Sequence, residues 1–284
     1  MIEIKQKGTG KVLVSFDGDS LVGADLTERD LRGADLHGMD LRGANLWHSD
    51  VSDADLSDAN LKHAVMQGAT FTNANFRRAN LRHAHIGDAN REAAAILTGA
   101  DLREAELDGA CLRKAEIHDA NLERASLCNA DLCYADFHGS NMRGIAARHA
   151  LFINANLGDA DLSGSDFRNS HLNHCDLKNA TLKDADLSTV EAGGFTVLNL
   201  ANLEKADLSN ANLRGVLAEH THFEFANLTN AALNHAVLSG SNMHRATVTD
   251  ADFSGVEMAT VNMEFANFSA AKNVDIPVHK DNVR

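Results

Sequence analysis

The chain is poor in the residues that usually mark a membrane, disulfide-rich or aromatic-cored protein. Its 284 residues include one proline, one tryptophan, one tyrosine and four cysteines, and aromatic residues make up only 5%. No apolar run is long enough to cross a bilayer, and the first five residues do not resemble a signal peptide. We therefore predict a cytoplasmic protein without a membrane partner.

Cationic residues are also scarce relative to acidic ones. The formal net charge is −14 and the isoelectric point is near 5.4. Such a balance favours solubility and disfavours general nucleic-acid binding, so we predict no direct nucleic-acid partner.

A period of five residues runs through almost the whole sequence. The unit is alanine, then Asp or Asn, then leucine, followed by two variable residues, as in Ala24-Asp25-Leu26 and Ala34-Asp35-Leu36. We name these the alanine, Asp/Asn, leucine, first variable and second variable positions. Five matches neither the helical nor the strand period, and a short fixed period indicates a solenoid whose units stack on one another.

The motif resembles that of the pentapeptide-repeat proteins over roughly residues 16–268. This resemblance implies an all-β fold, a right-handed, four-sided parallel β-helix of about a dozen coils with four repeats per coil. The alternation itself predicts that leucine and alanine positions point inward. Examples of the predicted core are Leu26, Leu36, Leu46, Leu56, Leu132, Phe152, Phe167 and Leu208.

The phase of the repeat changes twice. The leucine position slips by one residue near 91–97 and again near 192–198. We interpret the slips as bulges at corners. Arg91 would otherwise lie in the core, and Gly193 and Gly194 suit an irregular turn. One continuous β-helix over residues 16–268 is therefore predicted.

The two ends depart from the repeat. Residues 1–15 alternate β-forming residues around a glycine turn, which predicts a hairpin-like cap. Residues 269–284 contain the only proline and form a predicted tail or cap.

The repeat offers little for catalysis or for a cofactor. It has no long insertion that could build a cleft, so we predict that the protein is not an enzyme. The cysteines show no metal-type spacing and are predicted to be free thiols. His63 with His83, and His118 with His138, are predicted to stack in pairs, but a pair lacks the further ligands of a structural zinc site. We predict no metal and no cofactor.

Two surface features are candidates for function. A cationic column at first variable positions is predicted on one face, where it could bind an acidic partner; the alternative is a set of salt bridges with the neighbouring Asp/Asn positions. Its members are Arg42, Lys62, Arg82, Arg103, Arg143 and Lys183.

The second feature is apolar. Three aliphatic residues occupy Asp/Asn positions twenty residues apart, so they are predicted to lie on one face: Val197, Leu217 and Val237. Leu200 lies beside them. Exposed apolar stripes usually mark an interface, and we predict a homodimer through this one. The alternative is that corners near the slips bury these side chains.

Two functions follow from these features. The first is a protein-binding or scaffolding rod whose protein partner is unknown. The second comes from the resemblance: some family members resemble B-form DNA and protect DNA gyrase from quinolones or toxins. The acidic run of Asp25, Asp30, Asp35, Asp40, Asp50 and Asp55 favours this alternative, whereas the cationic column and the absence of a clear dimerising helix count against it.

Overall fold

The computed structural model describes residues 1–88, 93–189 and 194–276. The chain forms two compact units, Met1–Asn141 and Met142–Arg284. The named elements are the short strands β1 (Ile2–Gln6), β2 (Val12–Phe16) and β3 (Ala34–Asp35), all in the first unit. Among the other residues that the structure describes, turns joined by isolated parallel β-bridges predominate in both units.

An antiparallel hairpin lies at the start of the first unit. Strand β1 pairs with β2, from Ile2 opposite Phe16 to Lys5 opposite Val12, and its other edge pairs with β3. Ile4 is fully buried. The Lys7 ammonium lies 2.5 Å from the Asp55 carboxylate. The hairpin therefore shields backbone edges and apolar side chains that would otherwise face water.

The bridges establish how the repeats stack. Asp25 pairs in parallel with Asn45, and Asp207 pairs with Asn227, so partners are twenty residues or four repeats apart. The Leu26 N–H donates to the Asn45 carbonyl at 2.8 Å. Successive turns of the chain thus satisfy each other's backbone groups, as in a β-helix-like solenoid.

The predicted core is confirmed. Side chains at leucine positions point inward because they supply the large apolar surface of most repeats. All eight predicted core residues are fully buried: Leu26, Leu36, Leu46, Leu56, Leu132, Phe152, Phe167 and Leu208. Each contributes roughly 1.5–3 kcal/mol by leaving water.

Each repeat ends in a tight turn. The Ala44 N–H donates to the Leu41 carbonyl at 3.0 Å, and Gly43 between them has φ of +65°. The second variable position is left-handed in non-glycine repeats too, as at His48 with φ of +52°. This conformation explains why Gly, Asn, Asp and His recur there.

The Asp/Asn side chain secures the next turn. The Asp25 carboxylate accepts hydrogen bonds from the Thr27 N–H at 3.1 Å and from the Thr27 hydroxyl at 2.6 Å. The same contact joins Asp131 to the Cys133 N–H. The short side chain at this position therefore holds the turn that follows it, at Asp25 as at Asp131.

The two phase slips are larger than predicted. Thr70 pairs with Ile96, and His171 pairs with Val197, so partners there are 26 residues apart rather than 20. Each site holds six additional residues, not one. Six residues are one five-residue repeat plus one residue, so an insertion of six shifts the phase of the repeat as much as an insertion of one. The phase alone therefore cannot distinguish the two insertions. Arg91 and Gly193 lie outside the described residues.

The cysteines are free thiols. Cys175 occupies an inward alanine position and donates from Sγ to the Phe152 carbonyl at 2.7 Å. Cys133 is only 4% exposed although it occupies a first variable position.

Candidate protein-binding surface

The predicted cationic column is wrong in its register. Asn80 pairs with Glu106, which places Arg82 next to Asp108. Arg103 instead follows Arg77, because Asn75 pairs with Asp101. The six-residue insertion shifts the later repeats of the first unit by one face relative to a count that assumes one extra residue.

The arginines of that column are also paired with carboxylates. Arg42 lies 2.6 Å from Asp40, and Arg103 lies 2.5 Å from Asp101. Arg82 contacts Asp108 at 3.2 Å and Arg143 contacts Asp161 at 3.0 Å. In the described part of the chain, Lys62 and Lys183 make no ion pair.

These pairings alter the acids that take part. The hydrogen bond from Arg42 lowers the pKa of the Asp40 carboxyl, and the one from Arg103 lowers that of Asp101. The arginines thus secure their own repeats, as the alternative interpretation predicts. A free cationic surface for an acidic partner is not supported.

The predicted acidic run is partly neutralised as well. Arg32 holds the pKa of Asp30 at about 2 through a side-chain hydrogen bond. Burial alone would raise the pKa of Asp55, but hydrogen bonds from Lys7 and Ser57 outweigh it and bring the value to about 2. The carboxylates of Asp30 and Asp55 remain charged, but the cationic side chains of Arg32 and Lys7 beside them offset their negative charge.

The apolar stripe, in contrast, is aligned as the sequence predicts. Val197 pairs with Leu217, and Leu217 pairs with Val237, so the three stack in one column of the second unit. We call Val197, Leu217 and Val237 the apolar strip. Exposure rises along it, from 8% at Val197 to 37% at Val237, with Leu217 half-buried. Val197 is therefore covered by its surroundings, whereas Leu217 and Val237 remain accessible.

A groove runs beside the apolar strip. It is lined by Thr189, Phe195, Arg214, Gly215, Leu217, Asn234, His235 and Val237. Phe195 is half exposed and adds a large apolar side chain to the strip. The repeat pattern does not predict a role for Phe195, because Phe195 lies just before the point where the repeat resumes. The available signal was a phenylalanine outside the repeat, two residues before Val197.

Leu200 belongs to a different depression. It is 46% exposed and lines a hollow with Asn202, Glu204, His222, Glu224 and Phe225. The first variable position, occupied by Asn199, separates it from Val197. The inclusion of Leu200 in the same interface stays a prediction.

The other exposed phenylalanines of the second unit stack on cations. The Arg245 guanidinium carbon lies 5.8 Å from the ring centroids of both Phe225 and Phe265, and the Lys205 ammonium lies 6.0 Å from Phe225. These residues are spaced by twenty in the sequence. The stack contributes about 0.5–1 kcal/mol for each contact at an exposed site, so it accounts for these aromatic residues without a partner.

The histidines do not form a metal centre in the described residues. The rings of His63 and His83 stack at 5.3 Å between centroids, as predicted. Within residues 1–88, 93–189 and 194–276, no group of three or more His, Cys, Asp or Glu side chains could hold a metal ion. The search for long apolar helices in the same residues finds no candidate membrane span.

Comparison with protein families identifies the repeat. The model for pentapeptide repeats matches in eight copies, over residues 20–58, 54–90, 93–119, 111–145, 149–188, 195–217 and 219–255. A search among curated proteins finds no match.

Solved structures with the same kind of repeat are similar to this chain. One is HetL, a pentapeptide repeat protein involved in heterocyst differentiation regulation from the cyanobacterium Nostoc sp. strain PCC 7120. It is 25% identical over 89% of this chain and 92% of its own, with a TM-score of 0.42. Trypsin-treated QnrB1, a plasmid-mediated fluoroquinolone resistance protein, is 17% identical over 81% of this chain and 86% of its own, with a TM-score of 0.24.

Proposed function

We propose, from the premise that this chain belongs to the pentapeptide repeat family, that it is a non-enzymatic scaffold that binds another protein. The observation that carries the proposal is the groove formed by Phe195 and the apolar strip. The Asp/Asn position normally satisfies a turn and faces water, so aliphatic residues there serve neither purpose. Exposed apolar surface of this kind favours a protein interface.

The groove is better suited to a protein than to catalysis. Its accessible side chains are mainly apolar, and two of its polar side chains are hydrogen-bonded to other residues of the lining. The Arg214 Nε donates to the Asn234 amide oxygen at 3.1 Å, and the Thr189 hydroxyl donates to the Gly215 carbonyl at 3.1 Å. An apolar centre with a polar rim is the usual anatomy of a protein interface.

The finer features of the fold belong to the same proposal. Residues joined by a bridge are four repeats apart, and this interval supports the four-sided, right-handed β-helix that the family resemblance implies. The free thiols support a reducing, cytoplasmic location.

DNA mimicry with protection of DNA gyrase is the alternative function. The net charge of −14 supports it. The pairing of Asp30 with Arg32, of Asp40 with Arg42 and of Asp55 with Lys7 disfavours it, because an acidic surface that mimics DNA needs uncompensated charge. A gyrase supercoiling assay with and without a quinolone distinguishes the two functions.

Site-specific photo-crosslinking tests the scaffold proposal. A photoreactive phenylalanine analogue replaces Val237 in one variant and Lys183, an exposed residue away from the apolar strip, in a control. We expect covalent protein adducts at position 237 and few at 183, because only the first lies in the groove. Equal yields at the two positions would contradict the proposal.

A further inference from the structure

The charges on either side of the apolar strip differ in sign. Arg214 precedes the corner before Leu217, and Glu219 follows Leu217 in the next turn. Val216 and Ala218 between them are fully buried, so Arg214, Leu217 and Glu219 carry the outward side chains of residues 214–219. At about 3.3 Å per residue, the Cα atoms of Arg214 and Glu219 are at most roughly 17 Å apart.

Both flanking groups are held in place by neutral partners. Arg214 donates to Asn234 and makes no ion pair with a described carboxylate. Glu219 accepts a hydrogen bond from the Asn199 amide at 3.2 Å, while its own N–H donates to the Asn199 side-chain oxygen. Each charge is therefore available to an opposite charge on another molecule.

We propose that the apolar strip binds a second copy of this chain through a two-fold axis parallel to the column Val197–Leu217–Val237. The proposal deepens the scaffold function above and rests on it, since it identifies the protein that covers the groove. Such an axis places the Arg214 side of the strip in one copy against the Glu219 side of the strip in the other. Arg214 of each copy then faces Glu219 of the other, and Leu217 lies opposite its own equivalent.

The charge pattern selects this axis over the other simple arrangement. A two-fold axis in the plane of the interface but perpendicular to the column would place the same side of the strip of both copies together. Arg214 would then face Arg214 and Glu219 would face Glu219, and like charges opposed across an interface disfavour binding.

The available area indicates a weak dimer. Stable interfaces bury about 800 Å² on each partner, whereas the exposed centre here consists of Phe195, Leu217 and Val237. Two equivalent charge pairs at the rim would add specificity and orientation more than affinity. We expect a dissociation constant on the order of tens of micromolar.

Charge exchange followed by sedimentation velocity from 1 to 200 µM tests the proposal. We expect the wild type to dimerise. Arg214→Glu and Glu219→Arg should each weaken the dimer about tenfold, because each creates two like-charge contacts. The variant that carries both changes should recover to within about threefold of the wild type.

A charge reversal at Lys183, Lys183→Glu, is the control and should leave the dimer unchanged. Thermal unfolding midpoints establish that every variant is folded. Single variants as dimeric as the wild type, or a double variant that does not recover, would overturn the proposed axis. A wild type that stays monomeric to 200 µM would overturn the dimer itself, but crosslinks from position 237 to a different protein would still support the scaffold function.

Discussion

Replacing Leu132 with alanine is expected to lower the free energy of unfolding by about 2–5 kcal/mol. Leu132 is fully buried at a leucine position of the first unit. Its removal leaves a cavity between stacked coils, and the hydrogen-bonded turns on either side limit how far the backbone can close it. Chemical denaturation followed by circular dichroism measures the loss.

Arg124→Ala is the matched control for this prediction. Arg124 is exposed at a second variable position of the same unit and has φ of +60°. Alanine keeps the Cβ atom and loses no buried surface, so we expect a change within about 0.5 kcal/mol. Similar midpoints for the two variants would contradict the assignment of inward and outward positions.

Replacing Ile4 with alanine is expected to have a comparably large effect, about 2–5 kcal/mol. Ile4 is the one residue of β1 that is fully buried, and it lies opposite Val14 in the hairpin. Removing its side chain exposes the apolar interior at the start of the first unit and weakens the attachment of β1 to β3.

Lys5→Ala provides the comparison within the same strand. Lys5 is exposed and lies 3.0 Å from Glu3, a surface ion pair of little energetic value. Its replacement should leave the denaturation midpoint nearly unchanged. Equal loss in the two variants would indicate that β1 stabilises the unit through backbone pairing alone, and would contradict a packing role for Ile4.

The features set by local chemistry could be predicted from the sequence. The pattern predicts Leu26 and Leu208 in the core because the period of five gives most repeats one large apolar side chain. The contact of Asp25 with the N–H two residues later is likewise local, since a short carboxylate readily accepts such a hydrogen bond. Neither feature depends on how distant repeats align.

Features that depend on alignment across the insertions could not be predicted. The phase of the repeat is the same for one extra residue and for six, so the partner of Arg82 was misplaced and its contact with Asp108 was missed. The apolar strip was aligned correctly because no insertion falls between Val197 and Val237. That Leu200 lines a separate hollow could not be predicted, because adjacency in sequence does not reveal on which side of a turn a residue lies.

Under the proposed function, the groove beside Leu217 binds protein. The most direct test of this claim is quantitative affinity capture with the wild type, Leu217→Asp and Thr247→Asp as baits. Leu217→Asp puts an unpaired charge into the apolar strip. Thr247→Asp is the control: it introduces the same charge at an Asp/Asn position whose bridge partners are Asn227 and Asn267.

We predict that proteins captured by the wild type, including further copies of this chain, are retained by Thr247→Asp and reduced at least tenfold by Leu217→Asp. Identical capture by all three baits would contradict the claim.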